Sequence, residues 1–306
     1  MSPEFDRFVA IDWSGARGSR YRGIAVAQCG PGDEAPRLVP APDGWWSRGA
    51  VLDWLRRDAP GRVLAGFDFA FSLPFAKAGR HFADPGAAGA FDLWDLVERA
   101  CGDAPDFLGS PFVETAPFAA DFWVRGPRPA GYVDARRETE RVCMEEGLGH
   151  PQSPYHLIGS KQVGRGALAG MRVLRRLRHD LGRDVAIWPF EAETADRLVC
   201  VEIYPRLFLR LAGFGTRKVR DRAALDGCLA RLGSRPTGTG GAPDDHQADA
   251  LVSAAGLRRL AAEASAWRPC RLDERSRRRD GWIFGVGLGI GTGAIRRGDR
   301  TGPAAL

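Results

Sequence analysis

The run Phe8-Val9-Ala10-Ile11 is followed directly by Asp12, so a short apolar segment ends in a carboxylate. Short apolar runs of this kind, bounded by turn residues, are typical of buried strands. Two later runs have the same form, residues 63–67 before Asp68 and residues 198–201 before Glu202. The pattern predicts an α/β protein whose sheet carries acidic residues at strand ends.

Two further carboxylates, Asp245 and Asp249, are four residues apart and share one face of a predicted helix. Capping explains an acid at the start of that helix, but it does not explain Asp249 beside the apolar residues 250–254. A buried carboxylate must pair with a cation, take up a proton or hold a metal ion. If the strands bring these acids together, a divalent cation is the natural counter-charge.

The spacing of apolar residues predicts a regular start to the chain. Strands are predicted at residues 7–12, 22–28, 37–39 and 61–68, with a helix at 50–57. Residues 69–131 follow a less regular pattern, and about 69–165 are predicted to be an insertion or lid. Further helices are predicted at 90–101, 138–146, 167–179, 205–212, 221–232 and 244–264, and further strands at 184–188, 198–203 and 281–286. We expect one domain over residues 1–285 and a disordered tail over 286–306.

The composition is that of an ordinary globular protein, with 44% hydrophobic and 27% charged residues. The six cysteines contain no Cys-x-x-Cys pair, which argues against a disulfide scaffold or a zinc ribbon. No apolar run approaches the roughly 18 residues of a membrane span, so we expect no membrane partner and a cytoplasmic location. The net charge of +6 is compatible with a polyanionic partner, although it comes almost entirely from arginines.

Each acidic motif also has a purely structural interpretation. Asp12 could form a turn at its strand end, and Asp68 could pair with a buried arginine. Arg206 could neutralise Glu202 locally, and His246 could be an exposed helix residue.

Taken together, four segments resemble the domain-of-unknown-function 429 family of predicted RNase H-like nucleases: residues 11–15, 67–74, 202–205 and 245–250. Residues 157–164 and 188–191 also look like one branch of that family. The resemblance covers most of residues 7–264. It implies a mixed five-stranded RNase H-like sheet flanked by helices, with acids converging at one edge.

Carried over by position, the resemblance implies that Asp12, Asp68 and Asp249 bind Mg²⁺ or Mn²⁺, with Asp245 as a fourth ligand and Glu202 as a further catalytic acid. The expected activity is hydrolysis of phosphodiester bonds in DNA or RNA by a two-metal mechanism. Lys161 and Arg206 are candidates for phosphate contacts, and His246 for proton transfer.

Three other functions stay open at this point. An actin-like ATPase or small-molecule kinase would use the loop after Asp12 to hold phosphates. A non-catalytic nucleic-acid-binding module would keep the fold without the chemistry. A Ser-His-Asp hydrolase would need Ser14 or Ser72 with His246, although neither serine lies in a Gly-x-Ser-x-Gly elbow.

Overall fold

A mixed six-stranded sheet forms the centre of the computed structural model, which describes residues 2–57, 59, 61–75, 79–130, 132–158, 162–215, 217–238 and 241–290. Its strands are β1 (Arg7–Asp12), β2 (Ala25–Cys29), β3 (Arg37–Leu38), β4 (Val63–Phe67), β5 (Val185–Ile187) and β6 (Leu198–Glu202). They lie in the order β3-β2-β1-β4-β6-β5. β1, β4, β6 and β5 are parallel, and β2 is antiparallel to both of its neighbours.

Helices cover both faces of this sheet. In the described ranges they are α1 (Arg48–Arg57), α2 (Ala90–Cys101), α3 (Ser110–Glu114), α4 (Glu138–Glu145), α5 (Val163–Leu181), α6 (Pro205–Leu211), α7 (Arg222–Arg231), α8 (Asp245–Ala261) and α9 (Ala264–Trp267). Single 3₁₀ turns occur at Pro105–Phe107, Phe118–Asp121 and Gly182–Asp184, and a π-helical turn at Ser276–Asp280.

Strand alternation divides the core into two layers. Ile11 and Phe67 face a layer that includes apolar residues of α2 and α5. Ala10 and Val201 face the opposite layer, where α6 and α8 pack. Since α8 crosses β1 and β2, its first turn lies near the carboxyl end of β1. The fold therefore places the acidic start of α8 beside the acid that ends the first strand.

The long segment between β4 and α5 packs as part of the core. In its described residues it contributes helices but no strand to the sheet. Trp94 and Phe112 are buried in the same layer as Ile11, and Trp123 packs against that layer while half-buried. These aromatic residues stabilise the fold by burying apolar surface.

The predicted α/β class, with a mixed sheet flanked by helices, is confirmed. The predicted strand over residues 281–286 is wrong. Gly281 and Gly285 have φ angles of +73° and +90°, which interrupt an extended chain, and only Ile283 makes an isolated bridge to Glu202. The sheet also has six strands where the resemblance implied five, because β5 adds an edge strand beyond β6.

None of the helices in the described part of the chain combines the length and the apolar character that crossing a bilayer requires. The division into one domain and a tail stays a prediction. Residues 287–289 are described and donate backbone hydrogen bonds to Glu146, from Gly287 at 3.1 Å and Gly289 at 2.8 Å. Residues 291–306 lie outside the described ranges.

Candidate carboxylate site

The register of the parallel strands brings Asp12 and Asp68 together. Ile11 pairs with Phe67, so the acid that follows each of them lies one step beyond, at the same edge of the sheet. The Asp68 backbone N–H continues the ladder by donating to the Ile11 carbonyl oxygen at 3.0 Å. The two side chains lie close enough together for each to change the pKa of the other.

Helix α8 supplies two more groups to this edge. Asp244 is its N-cap and accepts a hydrogen bond from the Gln247 backbone N–H at 2.8 Å, while the Gln247 side chain returns one to the Asp244 N–H. This capping box fixes the first turn. His246 then reaches Asp12, with 2.5 Å between Nδ1 and Oδ2, and Asp249 lies one turn further along the helix.

Burial and mutual repulsion change the acidity of all three carboxyl groups. Burial, followed by the charge of Asp12, raises the pKa of Asp249 to about 7. Burial and the nearby charges of Asp12 and Asp249 raise the pKa of Asp68 well above its usual range. Burial also raises the pKa of Asp12, although the hydrogen bond to His246 offsets part of that effect. The site therefore holds more acidic groups than its own positive charge can balance.

His246 is the positive partner within this cluster. Its hydrogen bond to Asp12 raises the pKa of the imidazole above its ordinary value. The side chain stays half exposed, so its charged form remains in contact with water. A Cβ added at Gly23 would lie 3.6 Å from His246 Nε2 and 3.6 Å from Ser14 Cβ, so the lack of a side chain at Gly23 leaves space between the imidazole and Ser14.

Asp245 does not join the buried cluster. Its side chain is 54% exposed and forms an ion pair with Lys218. The hydrogen bond from Lys218 lowers the pKa of Asp245, which is opposite to the direction for Asp249. Two acids four residues apart on one helix therefore lie in different environments.

Glu202 pairs with an arginine that the sequence did not indicate. It aligns with Phe67 in the register, so its side chain leaves the sheet on the face opposite to α8. There the Arg137 guanidinium donates two hydrogen bonds to it, 2.6 Å from Nη2 to Oε1 and 2.8 Å from Nη1 to Oε2. Glu202 also accepts one from the Phe71 backbone N–H at 3.0 Å. All of these groups are buried, so the charge of Glu202 is already compensated.

Of the two residues predicted to contact phosphate, Arg206 and Lys161, only Arg206 lies in the described part of the structure. Arg206 lies on the wall of a cavity of about 960 Å³ that also includes Asp68, Glu202 and Tyr204. Arg210, one turn further along α6, lines the same cavity. Lys161 lies outside the described residues. The pair Arg206 and Arg210 was detectable from the sequence, because four-residue spacing on the predicted helix 205–212 places both on one face.

The donor set suits a hard divalent cation. Among the described residues, no group of three or more His, Cys, Asp or Glu side chains is placed so that it could hold a metal ion. Asp12, Asp68 and Asp249 nevertheless offer carboxylate oxygens, which Mg²⁺ and Mn²⁺ prefer. A cation could compensate the mutual repulsion of these carboxylates. The residues present therefore fit such an ion by donor type, but not by their present spacing.

The fold and site together define an α/β protein with a buried carboxylate cluster and one histidine at the carboxyl edge of its sheet. Comparison of the chain with protein-family models, with curated proteins and with solved structures gave no match. The resemblance to the domain-of-unknown-function 429 family therefore stays a prediction from the residues quoted above.

Proposed function

We propose that this protein is an RNase H-like, metal-dependent nuclease that hydrolyses phosphodiester bonds at the Asp12–Asp68–Asp249 cluster. The observation that carries the proposal is that the strand register places Asp12 and Asp68 side by side at one sheet edge, where His246 of α8 hydrogen-bonds to Asp12. Placing two acids close together at the edge of the core is costly for stability. Such an arrangement is typical of functional sites, where a cation compensates the charge in the working state.

The order of the acids in the fold supports the same proposal. One acid ends the central strand β1, one follows the adjacent strand β4, and one lies on the late helix α8. This is the arrangement of acids that the resemblance implies for RNase H-like nucleases. The extra strand β5 lies at the far edge beyond β6, so it does not separate β1 from β4.

A bound Mg²⁺ or Mn²⁺ would supply Lewis-acid activation of water and charge neutralisation of the phosphate. Asp12, Asp68 and Asp249 would hold the ion through their carboxylate oxygens. Asp12 also orients His246 through Nδ1, which leaves Nε2 free to carry a proton to or from a reacting oxygen. The hydrogen bond to Asp12 raises the pKa of His246, which favours its charged form, so a role as proton donor to the leaving group fits it best.

The test is cleavage of labelled single- and double-stranded DNA and RNA by the purified protein. We expect cleavage with Mn²⁺ or Mg²⁺, no cleavage with a chelator, and loss of cleavage in Asp12→Asn. The Asn variant identifies any contaminating nuclease, because a contaminant would be present in both preparations. Cleavage of equal rate in Asp12→Asn would reject the proposal, and so would ATP turnover without cleavage of any nucleic acid.

A second candidate is a metal-independent hydrolase built on Ser14. The Asp12–His246 hydrogen bond is the contact that orients the base of a Ser-His-Asp triad, and Ser14 lies next to the Gly23 that faces His246 Nε2. In the structure the Ser14 hydroxyl accepts a hydrogen bond from the Ala16 backbone N–H at 3.3 Å. Hydrolysis of an activated ester in the presence of chelator, lost in Ser14→Ala, would favour this function over the nuclease.

A further inference from the structure

The cavity beside the carboxylate cluster has two arginines with no bonded partner in the described residues. Arg206 and Arg210 both line it from α6, and neither forms a hydrogen bond or an ion pair with any described side chain. Arg165, which also lines the cavity, donates instead to Ser110 Oγ and to Gln162 Oε1, each at 2.7 Å. Within the described part of the chain, the two α6 arginines are therefore positive charges of this cavity without a side-chain partner.

Two arginines four residues apart on one helix face repel each other unless an anion lies between them. Both also lie close enough to Tyr204 to lower its pKa, although burial dominates and raises that pKa to about 12. Tyr204, Asp68 and the two arginines thus belong to one neighbourhood. Arginine pairs of this kind bind phosphate through charge-assisted hydrogen bonds.

The volume of the cavity limits the size of a ligand that can bind there. Its volume of about 960 Å³ is at the upper end of the range for small-molecule sites. Residues 13–16 and 162–166 line one part of it, and residues 147–154, which follow α4, line another. A cavity of this volume is large enough for a single nucleotide unit.

We propose that this cavity binds one nucleoside-phosphate unit, with its phosphate between Arg206 and Arg210 and its scissile bond directed to Asp68. This inference takes the identity of the reaction from the proposed nuclease function. The evidence for the binding site, which is the cavity and its two unpartnered arginines, does not depend on that function. Two sources supply this chemistry, the end of a nucleic-acid strand and a free nucleotide. In either case we expect the preferred substrate to be a strand end or a free nucleotide, and not the interior of an intact strand.

The binding test uses adenosine 5′-monophosphate as the probe, measured by calorimetry in the presence of chelator so that no hydrolysis occurs. We expect wild-type protein to bind it and the double variant Arg206→Gln, Arg210→Gln to bind about tenfold more weakly or worse. The matched control is Arg259→Gln, because Arg259 is exposed and lies ten residues beyond Asp249 on α8, about 15 Å along the helix. Equal affinity in the double variant and wild type would overturn the inference.

The substrate test compares linear single-stranded DNA, covalently closed circular single-stranded DNA and the free nucleotide, each with Mn²⁺. We expect linear DNA to be degraded and circular DNA to resist, and the double variant to raise KM for the linear strand with little change in kcat. Circular DNA that is cut as fast as linear DNA would overturn the inference. Release of phosphate from the free nucleotide alone would support the site and assign it to nucleotides.

The two proposals fail in different ways. If nothing is cleaved but adenosine 5′-monophosphate binds through Arg206 and Arg210, the nuclease proposal is wrong and the nucleoside-phosphate site is supported. If strands are cleaved but the double variant binds adenosine 5′-monophosphate as tightly as the wild type, the nuclease proposal is supported and the assignment of the binding site is wrong.

Discussion

At the scale of single residues, the environment of Asp12 accounts for most of the chemistry we propose. Its carboxyl group hydrogen-bonds to His246 and lies close to Asp68. It is therefore placed to orient the imidazole and, together with Asp68, to bind a cation.

The two acids of α8 provide a matched pair for mutation. We expect Asp249→Asn to reduce metal-dependent cleavage by about a hundredfold or more, because it removes a buried oxygen donor from the cluster. Asp245→Asn should reduce it by less than about tenfold, because Asp245 is exposed and already paired with Lys218. The measurement is the initial rate with saturating Mn²⁺. Similar losses in both variants would place Asp245 among the metal ligands after all.

His81 gives a pH prediction that is independent of the site. Burial lowers its pKa to about 3, from an ordinary value of 6.5, and neither ring nitrogen has a hydrogen-bond partner among the described residues. As the pH falls below 6.5, the unfolded chain takes up a proton at this position and the folded protein does not. The free energy of unfolding should therefore decrease by up to about 1.4 kcal/mol for each pH unit down to about pH 3.

The variant His81→Leu removes that contribution. Its free energy of unfolding, measured by urea titration at several pH values, should fall less steeply than that of the wild type below pH 6.5. The difference between the two curves isolates His81 from the other titrating groups. Parallel curves would show that the imidazole becomes protonated without unfolding.

The sequence was sufficient to predict which acids lie at the sheet edge, but not which side chains pair with the acids. Asp12 and Asp68 each follow an apolar strand, so strand alignment alone places them at one edge. The partner of Glu202 could not be predicted, because Arg137 is 65 residues away whereas Arg206 is only four residues away. The contact between His246 and Asp12 spans 234 residues, which no local pattern encodes.

At the scale of elements, apolar periodicity located the main helices and strands to within a few residues. The most accurately predicted helix starts are those with an N-capping residue, such as Asp221 before α7 and Asp244 before α8. The predicted strand over 281–286 is wrong because periodicity does not register glycines with positive φ. Helix α3 lies within the stretch where no regular pattern was recognised.

Removing the buried ion pair between Arg137, which precedes α4, and Glu202 of β6 should destabilise the fold more than removing an exposed ion pair does. Arg137 precedes α4 and bonds both Glu140 and Glu202 in the core. Replacing it by Met leaves two buried carboxylates without a cation, so we expect the free energy of unfolding to fall by about 3–5 kcal/mol. The measurement is a urea titration near neutral pH.

The control for this substitution is Arg141→Met on the same helix. Arg141 pairs with Glu138 at 2.6 Å, but its side chain is 51% exposed, so we expect a loss of about 1 kcal/mol or less. Equal destabilisation by the two substitutions would mean that the Arg137 network contributes no more than a surface pair.

At the scale of the whole molecule, metal binding should be visible as stability. A cation that binds only the folded protein adds about 3 kcal/mol to its free energy of unfolding at a hundredfold excess over Kd. We therefore expect Mn²⁺ to raise the Tm of the wild type and of Asp245→Asn. The Tm of Asp12→Asn and Asp249→Asn should change little. A uniform shift in all four proteins would indicate non-specific binding.

The Arg137 contact also limits how far this polypeptide can be shortened. In its described part, the segment 69–162 adds no strand to the sheet, but it packs as part of the core through residues such as Trp94 and Phe112. Deleting it would also remove from Glu202 its only strong counter-ion in the described structure and the hydrogen bond from the Phe71 amide. A shortened protein would therefore need a neutral residue at position 202 as well as new apolar cover for that layer of the core.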